Sequence, residues 1–177
     1  MSNMNNGRAF GSVSELLEQL LRHHHPYTKA ALAELSPLAE QVARMHGDRH
    51  PELAQLVVLL RRLRNDMDMH LMKEENILFP YIKQLIGSST VTPPMFGTIA
   101  NPIRVMQAEH DTDRGILDEM VQITRDFALP PYACASFTAL YQGVRALVRD
   151  LLLHMDLENN RLFPLVIEME KDKLVRF

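Results

Sequence analysis

One motif occurs twice in the sequence, and it constrains the fold more than any other feature. The pattern H-x3-E-x-N-x-L-F-P begins at His70 and again at His154. Residues four apart in an α-helix lie on one face, so each copy points an imidazole and a carboxylate, Glu74 or Glu158, in the same direction. Both copies follow an apolar stripe with helical spacing, which predicts that these groups face a core. Because a buried carboxylate needs a partner, a metal cation shared by both copies is indicated.

The spacing of apolar residues predicts an all-α fold, an up-and-down four-helix bundle. A chain of 177 residues with 46% hydrophobic composition can form one domain with a substantial core. Helices are predicted over about residues 12–46, 52–86, 102–127 and 133–171, joined by two short turns and one longer loop. Residues 1–11 are predicted to be a disordered tail, and residues 12–177 the bundle. Pro26 and Pro37 each remove a backbone donor and predict a kink or break in the first helix.

Composition excludes several classes of function. The formal net charge is -3 and the charged residues are mixed, so no nucleic-acid partner is expected. Cys134 is the single cysteine, which excludes an internal disulfide and predicts a small buried residue. No apolar run approaches the roughly 18 residues that a membrane span needs. We therefore expect no membrane association and a cytoplasmic location.

Counting along the helices brings four histidines to one level. An α-helix rises about 1.5 Å per residue, and His25 and His70 lie about equally far from the turn between the first two helices. His110 and His154 are level by the same count about the later turn. With the two motif carboxylates, the predicted ligands of a dinuclear metal centre are His25, His70, Glu74, His110, His154 and Glu158.

Two other histidines bear on this assignment. His24 cannot be separated from His25 by depth, since adjacent residues differ by only about 1.5 Å. His46 lies about 31 Å further along a continuous helix, which predicts a position at the end of the bundle.

The ligand types leave the metal open, because imidazole with carboxylate suits iron, manganese and zinc. The zincin order H-E-x-x-H is absent, which argues against a metalloprotease. Three acidic neighbours, Glu75, Asp111 and Asp156, either orient the imidazoles or belong to a solvated face. Glu109 and Asp66 are further candidates, for lining access to the centre.

The motifs together resemble those of a known family. They are His25 with Tyr27, Arg44-Met-His46-Gly-Asp, the two repeated motifs, Glu109-His110-Asp111, and Pro130-Pro-x-x-Cys134. This ordered set is similar to the hemerythrin-like domain of the repair-of-iron-centres proteins, over nearly the whole chain after residue 12. The resemblance implies two iron ions with an oxo or hydroxo bridge, held by the six predicted ligands with both glutamates bridging.

The same resemblance implies a function. Such proteins are cytoplasmic, non-haem di-iron proteins of nitrosative and oxidative stress, implicated in repairing damaged iron-sulfur clusters and in binding nitric oxide. The expected partners are damaged iron-sulfur proteins and nitric oxide or dioxygen as small ligands. The alternatives are a dioxygen-binding storage or sensing module, an enzyme that reduces nitric oxide or peroxide, for which no catalytic residues are assigned, and a merely structural bundle that binds no metal. Many members carry an N-terminal cysteine-bearing domain, and this sequence contains no counterpart of it.

Overall fold

The computed structural model describes residues 6–174, with side chains from residue 13 onward. These residues form four helices: α1 over residues 6–46, α2 over residues 52–87, α3 over Ala100–Ile123 and α4 over residues 135–173. An isolated bridge between Val91 and Leu174 is the only β-type pairing in this range. The predicted all-α class is confirmed.

The chain divides into two compact units. The first comprises residues up to 25, residues 70–110 and residues from 153 onward; the second comprises residues 26–69 and 111–152. Each helix contributes one segment to each unit.

The first unit contains an apolar cluster, and hydrogen bonds of a buried carboxylate hold the last turns of α4 in place. Its largest buried side chains include Leu20, Phe79 and Phe163. Near the end of α4, the buried carboxylate of Glu170 accepts hydrogen bonds from the Tyr81 hydroxyl (2.8 Å), from the Ile99 backbone N–H (2.9 Å) and from the Thr98 hydroxyl. This contact caps the start of α3, where backbone N–H groups lack helical partners.

Three π-helical turns interrupt the helices, all in the first unit. They cover Leu20–His24, Glu74–Leu78 and Glu158–Leu162, and the residue after each turn makes a backbone hydrogen bond to the carbonyl five residues earlier. Those bonds run from the N–H of His25, Phe79 and Phe163 to the carbonyls of Leu20, Glu74 and Glu158. Turns of this kind are rare and concentrate at functional sites.

A proline follows each π-turn at the same distance. Pro26, Pro80 and Pro164 each stand two residues after the end of their turn. A proline cannot bond the carbonyl four residues earlier, and its ring clashes with that carbonyl. A wider turn moves that carbonyl away from the proline ring. The N–H of the residue before the proline then bonds the carbonyl five residues earlier instead of four. The proline of the L-F-P motif therefore accounts for the π-turn beside it.

The second unit has a core of leucine and aromatic side chains. Tyr141 packs edge-on against Phe137, with ring centroids 4.8 Å apart, and against Phe127 at 5.8 Å. Edge-to-face pairs of this kind add to the burial of apolar area.

Some boundaries differ from the predictions. α1 begins at Asn6, within the residues 1–11 that were predicted to be a tail; residues 1–5 lie outside the described residues. Extending a helix is cheap once the buried turn at Val13 and Leu16 has nucleated it. α1 also continues through Pro26 and Pro37 to His46, so a break is wrong; packing of the apolar face outweighs the missing bonds.

The end of α3 is also earlier than predicted. The helix ends at Ile123, and not at Phe127. The Thr124 hydroxyl donates to the Met120 carbonyl (2.7 Å) and accepts from the Phe127 N–H (3.1 Å). A threonine side chain that bonds nearby backbone in this way competes with the helix and ends it.

Candidate metal centre

The six predicted ligands meet inside the first unit, where they form two overlapping groups. Position A consists of His25, His154, Glu74 and Glu158; position B consists of His70, His110 and the same two glutamates. Within each group, one potential ligand atom per residue lies within 4.8 Å of all the others. All six side chains are buried. The shared carboxylates would bridge two cations.

The ligand atoms lack hydrogen bonds within the protein. Both oxygens of Glu74, both oxygens of Glu158, and Nε2 of His25 and of His154 are buried without a hydrogen-bond partner among the described residues. Several N···O distances are short, 3.4 Å from Glu74 to His25 and 3.2 Å from Glu158 to His154, but they lack hydrogen-bond geometry. A buried polar atom left unpaired costs about 1–3 kcal/mol, more when charged. These donors fit a pair of divalent cations, which would satisfy all of them.

The rest of the repeated motif positions these ligands. Glu74 and Glu158 are the first residues of their π-turns, so the wider turn begins at the carboxylate. The phenylalanine that closes each turn covers a ligand imidazole: Phe79 stacks on His25, with ring centroids 5.3 Å apart, and Phe163 lies parallel to His110 at 6.1 Å. The phenylalanine of each L-F-P sequence therefore lies against the centre, and the proline follows the widened turn.

Three of the four imidazoles are oriented by a hydrogen bond that their Nδ1 atom donates. His25 Nδ1 donates to Glu75 (2.9 Å) and His70 Nδ1 donates to Glu109 (3.0 Å), which also pairs with Lys73. Such partners fix the orientation of a ligand ring and raise its basicity. For Glu75 this hydrogen bond supports the orienting role over a solvated face, and Glu109, which was predicted to line access to the centre, holds His70 in the same way.

The third partner was missed by the sequence analysis. His110 Nδ1 donates a hydrogen bond to Asn159 Oδ1, at 3.0 Å. Asp156, a predicted partner, instead accepts from Asn160 (2.7 Å). Two further candidates, Asp66 and Asp111, belong to the second unit, and Asp66 pairs with Arg62 at 3.6 Å. No signal in a single sequence separates Asn159 from Asn160, since only the rotation of the helix decides which one faces His110.

A shared proton links the imidazoles of position B. His70 Nε2 lies 3.1 Å from His110 Nε2. Both rings must donate from Nδ1, because the Glu109 carboxylate and the Asn159 carbonyl oxygen only accept. One of the two Nε2 atoms therefore donates to the other, and the raised pKa of His70 identifies that ring as the imidazolium. A cation at position B has to displace this proton.

The charges of the centre agree with this assignment. Burial lowers the pKa of His70, but the carboxylates of Glu74 and Glu158 outweigh burial and raise this pKa to about 9. Burial raises the pKa of Glu158, yet the His154 and His110 imidazoles hold it well below its usual range. Burial and the neighbouring carboxylate likewise raise the pKa of Glu74, and its imidazole neighbours reverse the shift. Both glutamates are therefore ionised, as bridging ligands must be.

The remaining histidines lie outside the two groups. His24 is buried in the first unit, with its ring centroid 5.8 Å from that of His154. His46 is half-buried in the second unit, where its Nε2 lies 3.1 Å from the half-buried Cys134 thiol. Geometry thus favours His25 over its neighbour, a choice that counting could not make.

Comparison with known proteins agrees with the fold and the site. The family model described as the hemerythrin HHE cation binding domain matches residues 16–166, a range that contains both positions. The iron-sulfur cluster repair protein YtfE of Cronobacter sakazakii is 36% identical over 159 residues, 90% of this chain and 68% of the relative. The proteins of that name from Escherichia coli and Escherichia fergusonii are 36% identical over 152 residues, 86% of this chain and 65% of theirs.

The chain thus spans about two thirds of the length of these curated relatives. The predicted hemerythrin-like bundle and the resemblance to the repair proteins are confirmed. Over residues 6–174, no helix combines the length and the apolar character needed to cross a membrane.

Proposed function

Because the chain belongs to the hemerythrin HHE cation-binding family, we propose that it holds two iron ions at positions A and B and serves in the repair of iron-sulfur clusters. One observation carries the proposal: two buried His/Glu groups share both of their carboxylates, whose four oxygens have no hydrogen bond within the described protein. The name of the similar proteins, iron-sulfur cluster repair protein, supports the assignment of the process.

The donor set supports iron that can be released. Each position offers two imidazoles and two carboxylates and no thiolate, a set that suits iron without selecting it strongly over its neighbours. Bound iron would supply a redox couple and coordination sites for small ligands. The protein orients the rings through Glu75, Glu109 and Asn159, and it shields the ligands from solvent with Phe79 and Phe163.

The ligand partners follow from this chemistry. Damaged iron-sulfur proteins are the proposed clients, and nitric oxide or dioxygen the proposed small ligands of the two irons. A cytoplasmic location, an oxo or hydroxo bridge and turnover of nitric oxide or peroxide stay predictions.

Iron transfer to a damaged enzyme tests the proposal. The chain is loaded anaerobically with Fe²⁺ and mixed with a dehydratase whose cluster has lost one iron. A thiol reductant supplies the one electron that a [3Fe–4S]⁺ cluster needs to take up Fe²⁺ and become [4Fe–4S]²⁺. We expect the dehydratase activity to return and the signal of the three-iron cluster to disappear.

Two variants make the test specific. Glu158→Ala removes a candidate ligand of both positions and is expected to donate no iron, while Asp156→Asn alters an exposed carboxylate two residues earlier and is expected to donate normally. Equal recovery with free Fe²⁺ alone, or a reversible spectral change with air and no transfer, would exclude repair, and the latter would favour dioxygen binding.

A further inference from the structure

The four candidate ligand imidazoles differ in whether their Nδ1 atom has a hydrogen-bond acceptor. Nδ1 of His25, His70 and His110 donates to Glu75, Glu109 and Asn159, at 2.9, 3.0 and 3.0 Å. Nδ1 of His154 has no hydrogen-bond partner among the described residues, and the atom is buried. The difference is therefore not made up by contact with bulk solvent.

This difference falls unevenly on the two positions. An imidazole that binds a cation through Nε2 carries its proton on Nδ1, and an acceptor for that proton fixes the tautomer and the ring orientation. Position B contains His70 and His110, which both have an acceptor. Position A contains His25, which has one, and His154, which has none.

Ring packing does not replace the missing acceptor. The His154 ring lies 5.1 Å from that of His25 and 5.8 Å from that of His24, centroid to centroid. These contacts restrict the plane of the ring, but they accept no proton and do not raise the basicity of Nε2. His110, by comparison, has both a parallel phenylalanine and an acceptor.

We propose that the two metal positions are inequivalent: position B holds its ion tightly, and position A is the weaker, exchangeable position from which iron is donated. The second clause rests on the proposed function, and the first does not. Loss of one outer-shell partner of a metal-binding histidine typically costs 10–100-fold in metal affinity. We expect a difference of that size between A and B.

A gap between two affinities would not by itself prove the assignment. Two cations that share both carboxylates repel each other, so the second ion binds more weakly even in a symmetric centre. The test must therefore identify which position fills first.

Cobalt titration of single-ligand variants identifies it. The metal-free full-length chain is titrated anaerobically with Co²⁺, whose visible absorption reports ligation. In the wild type we expect two ions bound with affinities at least tenfold apart. In His154→Ala the tight event is expected to stay within threefold of the wild type, and in His110→Ala it is expected to weaken at least tenfold.

A pair of adjacent asparagines provides the matched control. Asn159→Val removes the acceptor behind His110 and is expected to weaken the tight event about tenfold. Asn160→Val changes the next residue, whose amide binds Asp156, and is expected to leave both events unchanged. Asn159→Asp keeps an acceptor and is expected to retain the tight event. Circular dichroism establishes that each variant is folded.

Each opposite result overturns the proposal. The inequivalence is wrong if the tight event is lost in His154→Ala and kept in His110→Ala, if both variants weaken it equally, or if Asn159→Val binds like the wild type. Those results leave the repair function standing. Failure of the wild type to bind two Co²⁺ ions would instead contradict the dinuclear centre itself, and the inequivalence with it.

Discussion

The two units of the chain are built from the same four helices and differ in what they bury. Eight polar or charged side chains are buried among the described residues of the first unit: His24, His25, His70, Glu74, His110, His154, Glu158 and Glu170. Three are buried in the second unit: Thr28, Asp113 and Thr124. The candidate metal-binding groups thus lie in one segment of each helix, and the following experiments test whether the other segments can be changed without affecting them.

The largest expected effect is loss of both metal ions from the first unit. Glu158→Ala removes a carboxylate common to positions A and B, so the bound metal is expected to fall from two ions per chain to near zero. Elemental analysis after anaerobic loading with Fe²⁺ measures the loss. Retention of a full complement would contradict the bridging role.

A cavity in the second unit is expected to lower the stability of the fold and to leave metal binding unchanged. Leu60→Ala truncates a fully buried side chain, which typically costs about 2–5 kcal/mol in the free energy of unfolding. Urea unfolding measures that loss, and the folded variant is expected to keep two metal ions. A variant that is folded under the loading conditions yet has lost its metal would break the separation between the units.

Acidity is expected to weaken metal binding. The pKa of His70 is raised to about 9, so below that pH a proton must leave before position B binds a cation. Each displaced proton changes the apparent affinity about tenfold per pH unit. Affinity should therefore rise from about pH 6.5 towards 9 and then level off. A pH-independent affinity would contradict the shared proton.

In the metal-free chain the same group has the opposite effect on folding. A histidine whose pKa is raised in the folded state contributes stability that is complete below its unfolded pKa, near 6.5. That contribution is lost as the pH rises through about 9. Urea unfolding of the metal-free chain across this range measures it.

The smallest expected effects come from two prolines. Pro80→Ala supplies an N–H that can bond Asn76, so the π-turn at Glu74 can tighten; we expect metal affinity to fall several-fold. Pro37→Ala restores a bond inside a regular helix of the second unit, and we expect up to about 3 kcal/mol of added stability with unchanged metal affinity. Calorimetry and metal titration on both variants provide the comparison.

The sequence predicted the fold and the six residues that converge because both follow from helical period and rise. Positions four apart share a face of a helix. His25 and His70 are separated from the connecting turn by about the same number of residues, so they lie at the same level along the bundle axis. Counting could not pair the histidines by metal position, because all four came out level. That pairing depends on how each helix is rotated about its axis.

Other features escaped the sequence for similar reasons. The π-turns depend on a balance between proline clashes and packing, since Pro37 is accommodated in a regular helix while Pro80 follows a widened turn. Asn159 could not be distinguished from Asn160 without the packed helices. The early end of α3 was decided by the hydroxyl of Thr124, a local competitor that hydrophobic spacing does not register.

The widened turns have a consequence for how the chain tolerates change in length. A π-turn contains one residue more than the α-helical turn it replaces. Beyond the turn, each side chain therefore points in the direction it would have in a regular helix without the extra residue. Deleting one residue from Glu158–Leu162 together with Pro164→Ala should therefore leave Val166 and Met169 in the core, while the same deletion in a regular segment would rotate everything after it by about 100°. The turns beside the candidate metal ligands are thus points where a helix can gain or lose a residue without changing the direction of the side chains that follow.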